Sequence, residues 1–286
     1  MAAADAEATD GESAEDEDAD VSNAEPVGDL SVVIRAEVLQ QVVDQLLTVV
    51  DEAIFRLGYD GLSVMAVDPA NVAMVEIEVE PGAFESVGDG MFPIGLNLQK
   101  LDDYIDGASG DDSISLTFQP ETLSVEIEHT NVEVEMAGIN TDMMRDEPDI
   151  PDLDLDSEFT ADAGVVTEAI ENSDLVSDHV ELESAVDDGK LVIRGHGDTD
   201  DIKTVLGPDE MSEANFASDA VALYSVPYLT GGSTQGSKYS GLLKPVSSGT
   251  DLWGRVSENT PMKMGYEFAD SFGNVTMMLA PRIQSN

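Results

Sequence analysis

The sequence predicts an α+β protein made of two tandem copies of one domain. Three observations carry this. The order strand, helix, strands, strand, helix, strands runs once from about residue 30 and again from about residue 158. Turn glycines, Gly61 and Gly189, fall at matching places in the two runs. A stretch rich in Asp and Pro, DEPDIPDLDLDSE, separates them. A period this long is not that of a solenoid repeat and reads as a domain duplication.

In the first copy, LSVVI is a short strand. AEVLQQVVDQLLTVVDEA follows, with Val38, Val42, Leu46, Val49 and Ala53 at three- and four-residue spacing, which predicts an amphipathic helix reaching Ala53. IFRLGYDGLSVMAVD gives two strands joined at YDG, a good turn signal. VAMVEIEVEP alternates, with Val75, Ile77 and Val79 on one face. FPIGLNLQKLDDYIDGA is a strand running into a short helix, and SISLTFQPETLSVEIEHTNVEVEMAGI gives three more strands. In the second copy, EFTADAG is a strand and VVTEAIENSDLV a helix, with Val166 and Ile170 four apart. HVELESAVDDGKLVIRGHG is a hairpin, DIKTVL a strand, and AVALYSVPYLTGG a strand leading into a short helix.

These patterns set the expected boundaries: an acidic tail over 1–26, a first domain over 27–142, a connector over 143–158 and a second domain over 159–286. Pro148 and Pro151 favour extended backbone in the connector. Five Asp and two Glu between Asp146 and Glu158 stretch it further by repulsion.

Composition narrows the function. Sixty Asp and Glu face 12 Lys and Arg, a formal charge of −48 over 286 residues. The first 29 residues hold 11 acids and no Lys or Arg, so the remainder still sets 49 acids against 12 bases. Such charge opposes compaction by self-repulsion. At about 1 M salt the Debye length is about 3 Å and the repulsion is mostly screened. With six lysines in the whole chain, this reads as a protein of a high-salt cytosol. The absence of Cys excludes disulfides and thiolate metal sites. No apolar run reaches the roughly 18 residues of a membrane span, and the N-terminus lacks the pattern of a signal peptide.

Catalytic signatures are missing. His129, His179 and His196 sit at strand ends without ligand spacing, and DTDD at Asp198–Asp201 lacks the Gly and distal Glu of a calcium loop. GGSTQGS has no following Gly-Lys-Ser/Thr, and no nucleophile elbow or dinucleotide fingerprint appears.

Three segments carry a resemblance. DGLSVMAVDPANVAMVEI (Asp60–Ile77), IGLNLQKLDDYI (Ile94–Ile105) and PMKMGYEFADSFGNVTMMLAPRI (Pro261–Ile283) resemble the sliding clamps of DNA replication, the proliferating cell nuclear antigen type, over roughly residues 27–283. With the acidity, the resemblance is to clamps of salt-loving archaea. It implies two clamp-type domains, each a curved antiparallel sheet backed by two helices, in a homotrimeric ring with helices lining the central hole. It further implies a protein that is not an enzyme, takes no cofactor or metal, encircles double-stranded DNA, and is opened by a clamp loader. DNA polymerase, flap nuclease and ligase would dock through short peptide motifs; no membrane is involved.

The resemblance also implies sites. An outer apolar pocket for partner peptides would use Val67 and Met74 from the first domain and Pro261, Met278, Ala280 and Pro281 from the second, with Ile150, Leu153 and Leu155 of the connector as its wall. The subunit contact would pair Val132–Gly138, with Val132, Val134 and Met136, against Asp201–Leu206 of the next chain, with Ile202, Lys203 and Val205. The DNA-facing helix positions would be Gln40 and Gln41, Asp103 and Asp106, and Glu168 and Glu171.

The sequence departs from the family at those positions, where basic residues are usual. Phosphate contacts with counterion release need cationic side chains, so a strong direct grip on DNA is not expected. Lys100, Lys190, Arg194 and Lys203 are the candidates for a few contacts, and bound monovalent cations could bridge acidic helices to phosphates. The segment Tyr228–Trp253 is longer and richer in Ser and Gly than the family's turn there. Two competing readings are a non-ring acidic scaffold for basic proteins and a hydrolase using clustered carboxylates.

Overall fold

A computed structural model describes residues 30–88, 91–119, 121–128, 132–145, 153, 155–231 and 240–282. The expected acidic tail lies outside them. The first half runs β1 (Leu30–Arg35), α1 (Ala36–Leu46), β2 (Glu52–Gly58), β3 (Gly61–Val67), β4 (Ala73–Val79), β5 (Phe84–Val87), β6 (Met91–Asn97), α2 (Leu98–Ile105), β7 (Ser113–Gln119), β8 (Thr122–Ile127) and β9 (Val132–Ala137). The second runs β10 (Ser157–Asp162), α3 (Ala163–Asp174), β11 (His179–Ala185), β12 (Lys190–His196), β13 (Asp201–Leu206), β14 (Met211–Phe216), β15 (Ala220–Ser225), α4 (Val226–Thr230), β16 (Asp251–Val256), β17 (Met262–Phe268) and β18 (Gly273–Leu279).

The sheets show the duplication strand by strand. The order β5-β1-β7-β8-β9 in the first half is repeated as β14-β10-β16-β17-β18 in the second. The order β4-β3-β2-β6 is likewise repeated as β13-β12-β11-β15. Two of these four pieces are fused: β18 pairs antiparallel with β4, from Gly273↔Val79 to Leu279↔Ala73, making one nine-stranded sheet across the two halves. The matching pair, β9 and β13, is left unjoined, each at the edge of its own sheet.

The helices cover one face. Alternation puts Val75, Ile77, Val275, Met277, Met264 and Tyr266 inward, all at 2% exposure or less. Against them α1 sets its own apolar stripe and a buried polar link between the halves. Gln45, fully buried, donates from Nε2 to the Leu242 carbonyl (3.0 Å) and accepts at Oε1 from the Tyr266 hydroxyl (2.9 Å). Every strong group in that link has a partner, as burial requires.

The helix expected to reach Ala53 ends at Leu46, and Ala53 belongs to β2. The run Leu47-Thr48-Val49-Val50 is β-rich, and Thr48 turns its hydroxyl back on the Gln45 carbonyl (2.6 Å), capping the helix early. The short strand β5 and the edge strand β14 had no pattern to announce them. Of the two turn glycines, Gly61 (φ +106°) is the more constrained: a Cβ there would fall 2.0 Å from the Val79 carbonyl oxygen. Gly189 also has positive φ, at +59°.

Candidate functional site

The outer face of the fused sheet gathers residues from three parts of the chain. Cross-strand pairing sets Val67 opposite Met74, Met74 opposite Met278, Met278 opposite Lys263, and Lys263 opposite Arg255. Directly paired side chains share a face, and strands are spaced about 4.8 Å apart. This row therefore crosses β3, β4, β18, β17 and β16, starting apolar and ending cationic. Met74 and Met278 are each 7% exposed, and Val67, Pro261, Ala280 and Pro281 are half-buried. The Ala280 amide continues the join by donating to the Val72 carbonyl (2.8 Å).

The connector is pinned at both ends of this row. Arg145 donates from Nη1 to the Asp68 carbonyl (2.9 Å) and from Nη2 to Asn71 Oδ1, both in the β3–β4 turn. That turn is held by the buried Asp68 carboxylate, which accepts from the amides of Ala70, Val72 and Ala73 and from the Tyr228 hydroxyl of α4 (3.2 Å). At the far end Asp156 accepts from the hydroxyls of Ser257 and Ser218 (2.8 Å for the latter), and these bonds hold its carboxyl below the usual range. Leu153 and Leu155 lie half-buried between the pins; Ile150 lies outside the described residues. Arg145, Asp68, Tyr228 and Asp156 are thus parts of the site that the sequence reading missed. A lone Asp in DPAN has no signature of its own; only the fold shows that it joins the two halves.

The expected subunit strands are sheet edges among the described residues. On β9, Val132 is 42% exposed and Val134 half-buried, while Met136 faces the core at 4%. On β13, Lys203 and Val205 are exposed and Ile202 is half-buried. Next to it Arg194 is engaged with Glu181 (3.1 Å) and Glu183, and His196 Nδ1 lies 2.9 Å from Asp201 Oδ1.

The helix faces are acidic, and two of the expected DNA-facing positions differ in role from that expectation. Gln40 spends its amide on the Ile105 (2.9 Å) and Ala108 (3.2 Å) carbonyls at the end of α2. Gln41 donates to the Tyr266 hydroxyl (3.2 Å). The two side chains brace α1 from a half-buried position instead of offering free donors. Asp103, Asp106, Glu168 and Glu171 are exposed. Lys190 is drawn to Asp188 (3.2 Å) and Lys100 is exposed in the first turn of α2. Lys244, which the sequence reading passed over, lines a cavity against α3 with Glu168, Glu171, Thr230 and Ser248. Residues 232–239 lie outside the described residues; just after them Leu242 and Leu243 are each 1% exposed and bond back to α4. Among the described residues no group of three or more His, Asp or Glu could hold a metal ion.

Asp44 on α1 lies near Asp102 and Asp106. Partial burial first, then repulsion from those two carboxylates, raises its carboxyl above 3.8. Asp102 is raised in the same way, by burial, then Asp106, then Asp103. A raised acid disfavours the charged folded state, so its contribution to stability appears as pH falls through the folded pKa and is lost as pH rises. Because Asp44 is exposed to solvent, which screens the repulsion, Asp44→Asn is expected to raise the melting temperature only slightly at pH 7. The gain should shrink as pH falls toward 4; thermal unfolding at pH 7, 5.5 and 4.5 checks it, and a gain constant with pH contradicts it.

Comparison with known proteins agrees with this geometry. A family model described as proliferating cell nuclear antigen, N-terminal domain, matches residues 32–159. The DNA polymerase sliding clamp of Halobacterium salinarum is 35% identical over 254 residues, 89% of this chain and 98% of that protein. That of Natronomonas pharaonis is 34% identical over the same shares. Among solved structures, A. fulgidus PCNA bound to the C-terminal region of FEN-1 superposes with a TM-score of 0.80 at 30% identity, covering 90% of this chain and all of that one. PCNA from Thermococcus kodakaraensis has the same fold, with a TM-score of 0.79 at 21% identity over 88% of this chain and 100% of its own.

Proposed function

Because the chain belongs to the proliferating cell nuclear antigen family of sliding clamps, we propose that it encircles duplex DNA as a homotrimer and tethers replication and repair enzymes there. It catalyses no reaction and needs no cofactor. Its action is topological: a partner held on a ring stays near its template at high effective concentration, without any grip on bases. A clamp loader opens it, and polymerase, flap nuclease and ligase dock outside through short peptides. The setting is a high-salt cytoplasm, with the ring on the nucleoid. The two clamp domains are taken as residues 27–142 and 159–286, joined by the connector 143–158 after an acidic tail over 1–26.

One observation supports the ring above others. Within the chain, β18 joins β4. The equivalents of those strands in the opposite halves are β9 and β13, and among the described residues both lie at sheet edges. An edge strand with open N–H and C=O groups pairs readily with another chain. Repeating the internal joint between chains gives a head-to-tail contact that closes on itself. Val132 and Val134 then meet Ile202, Lys203 and Val205 of the next copy, while Met136 joins the pairing by its backbone and keeps its side chain in its own core.

The outer pocket is read as the docking site, with Val67, Met74 and Met278 as floor, Pro261, Ala280 and Pro281 beside it, and Ile150, Leu153 and Leu155 as wall. Methionine adapts its shape and suits a surface that takes several partners. Inside the ring, Asp103, Asp106, Glu168 and Glu171 face DNA through bound monovalent cations, while Gln40 and Gln41 brace the helix layer.

The test uses closed circular and linear DNA. In about 1 M KCl the protein should have the mass of three 30.4 kDa chains. Loaded with its loader and ATP, it should remain on circles and run off linear molecules. Retention on both alike, or on neither, contradicts encirclement. Steep loss from circles with added salt would mean ordinary basic contacts instead of ion bridging.

A further inference from the structure

We propose that the outer pocket selects partner peptides whose apolar anchor is flanked by acidic residues, an inference that rests on the docking reading above. The chain carries 12 cationic side chains among 60 acids. Four of the 12 stand in this row or next to residues that border it. Lys263 stands directly opposite Met278 on the outer row, and Arg255 stands next in line. Arg145 is held at the other end, on the turn between Val67 and Val72. Arg282 follows Pro281, with its amide fixed to the Leu223 carbonyl (2.7 Å).

Most of these charges are not spent. Arg145 bonds only neutral acceptors among the described residues, a carbonyl and an amide oxygen. Lys263 and Arg282 form no ion pair with a described residue, whereas Arg255 pairs with Glu158 (3.2 Å) and lies over the Trp253 ring (5.5 Å). The nearest acid on the next outer row is Glu76, whose carboxyl is raised by burial first, then by Glu78, and lowered by Lys263. It is attracted to Lys263 without forming an ion pair with it.

Two fields then oppose each other. The whole molecule, at −48, repels acidic peptides over long range. The collar attracts them at contact. Salt removes the first far more than the second, since at about 1 M the Debye length is only about 3 Å. A segment crossing the row would place its anchor on Met74 and Met278, and its flank one or two strands away, on Lys263 and Arg255. That is about 5–10 Å, within reach of a Glu side chain.

The experiment uses the full-length trimer and labelled peptides of the C-terminal region of FEN-1, the segment that occupies the A. fulgidus clamp. The anchor is kept and three flanking residues are made Glu in one peptide and Lys in another. Anisotropy titrations in about 1 M KCl should show the Glu-flanked peptide bound about fivefold more tightly, the sum of two or three exposed ion pairs. Lys263→Glu should erase the preference, and Lys263→Glu with Arg282→Glu should invert it, with the trimer mass unchanged as the folding control. Tighter binding of the Lys-flanked peptide, or a preference indifferent to Lys263→Glu, overturns the proposal while leaving docking intact. If neither peptide binds, the docking reading itself is wrong and the flank preference goes with it.

Discussion

Replacing Lys203 and Val205 together by Glu is expected to turn a ring of three chains into a 30.4 kDa monomer. The reason lies in what the two free edges carry. β9 brings Glu133 and Glu135, both exposed, and β13 brings Lys203 as its one cation, with Val205 37% exposed. After the double substitution β13 would carry Asp201 and two Glu toward the two Glu of β9. Like charges set opposite each other destabilise a strand pair, and unpaired carboxylates at its centre lose their water without a partner. A shift of about 3 kcal/mol per contact is reasonable for such a change, roughly a hundredfold in each association constant. Both positions are on an outer edge, so the fold should survive. Light scattering in about 1 M KCl reads the mass and circular dichroism the fold. A trimer that persists would mean that these strands are not the joint.

The duplication was legible because it needs only periodicity. Alternation in VAMVEIEV and LVIRG, turn glycines, and a proline-bearing acidic connector appear in both halves or between them. What could not be read was the joining of strands far apart in sequence. Nothing in TMMLAP says that Met278 will sit opposite Met74, because the two strands lie about 200 residues apart in sequence and no local pattern encodes their pairing. The resemblance to clamps supplied those partners, and the pairing places Val67, Met74 and Met278 in one row. The Asp68 junction and the Arg145 pin escaped for a different reason. They are single polar residues whose partners lie in other elements, and no local pattern marks them. The early end of α1 is a case of competing signals, since Val49 and Ala53 continue the helical spacing while the β-branched run favours extension.

Met278→Asp is expected to cost partner docking at least about a hundredfold while leaving the ring assembled. The side chain stands in the middle of the outer row, between Met74 and Lys263, where an apolar anchor would be most fully desolvated. Central, buried positions dominate binding energy, and truncating them costs 2 kcal/mol or more. A carboxylate there adds the penalty of burying a charge beneath the bound anchor, and Lys263 relieves only part of it. The outer row lies within one chain, across the β18–β4 join, whereas the proposed subunit contact uses the edge strands β9 and β13. The two functions are therefore separable in both directions. The Met278→Asp ring should load onto circular DNA yet fail to bind the FEN-1 peptide, and the Lys203→Glu, Val205→Glu monomer should bind that peptide yet fail to stay on DNA. If either substitution removed both properties in a protein that is still folded, docking and closure would have to share a surface. The row on the outer face could then not be the docking site.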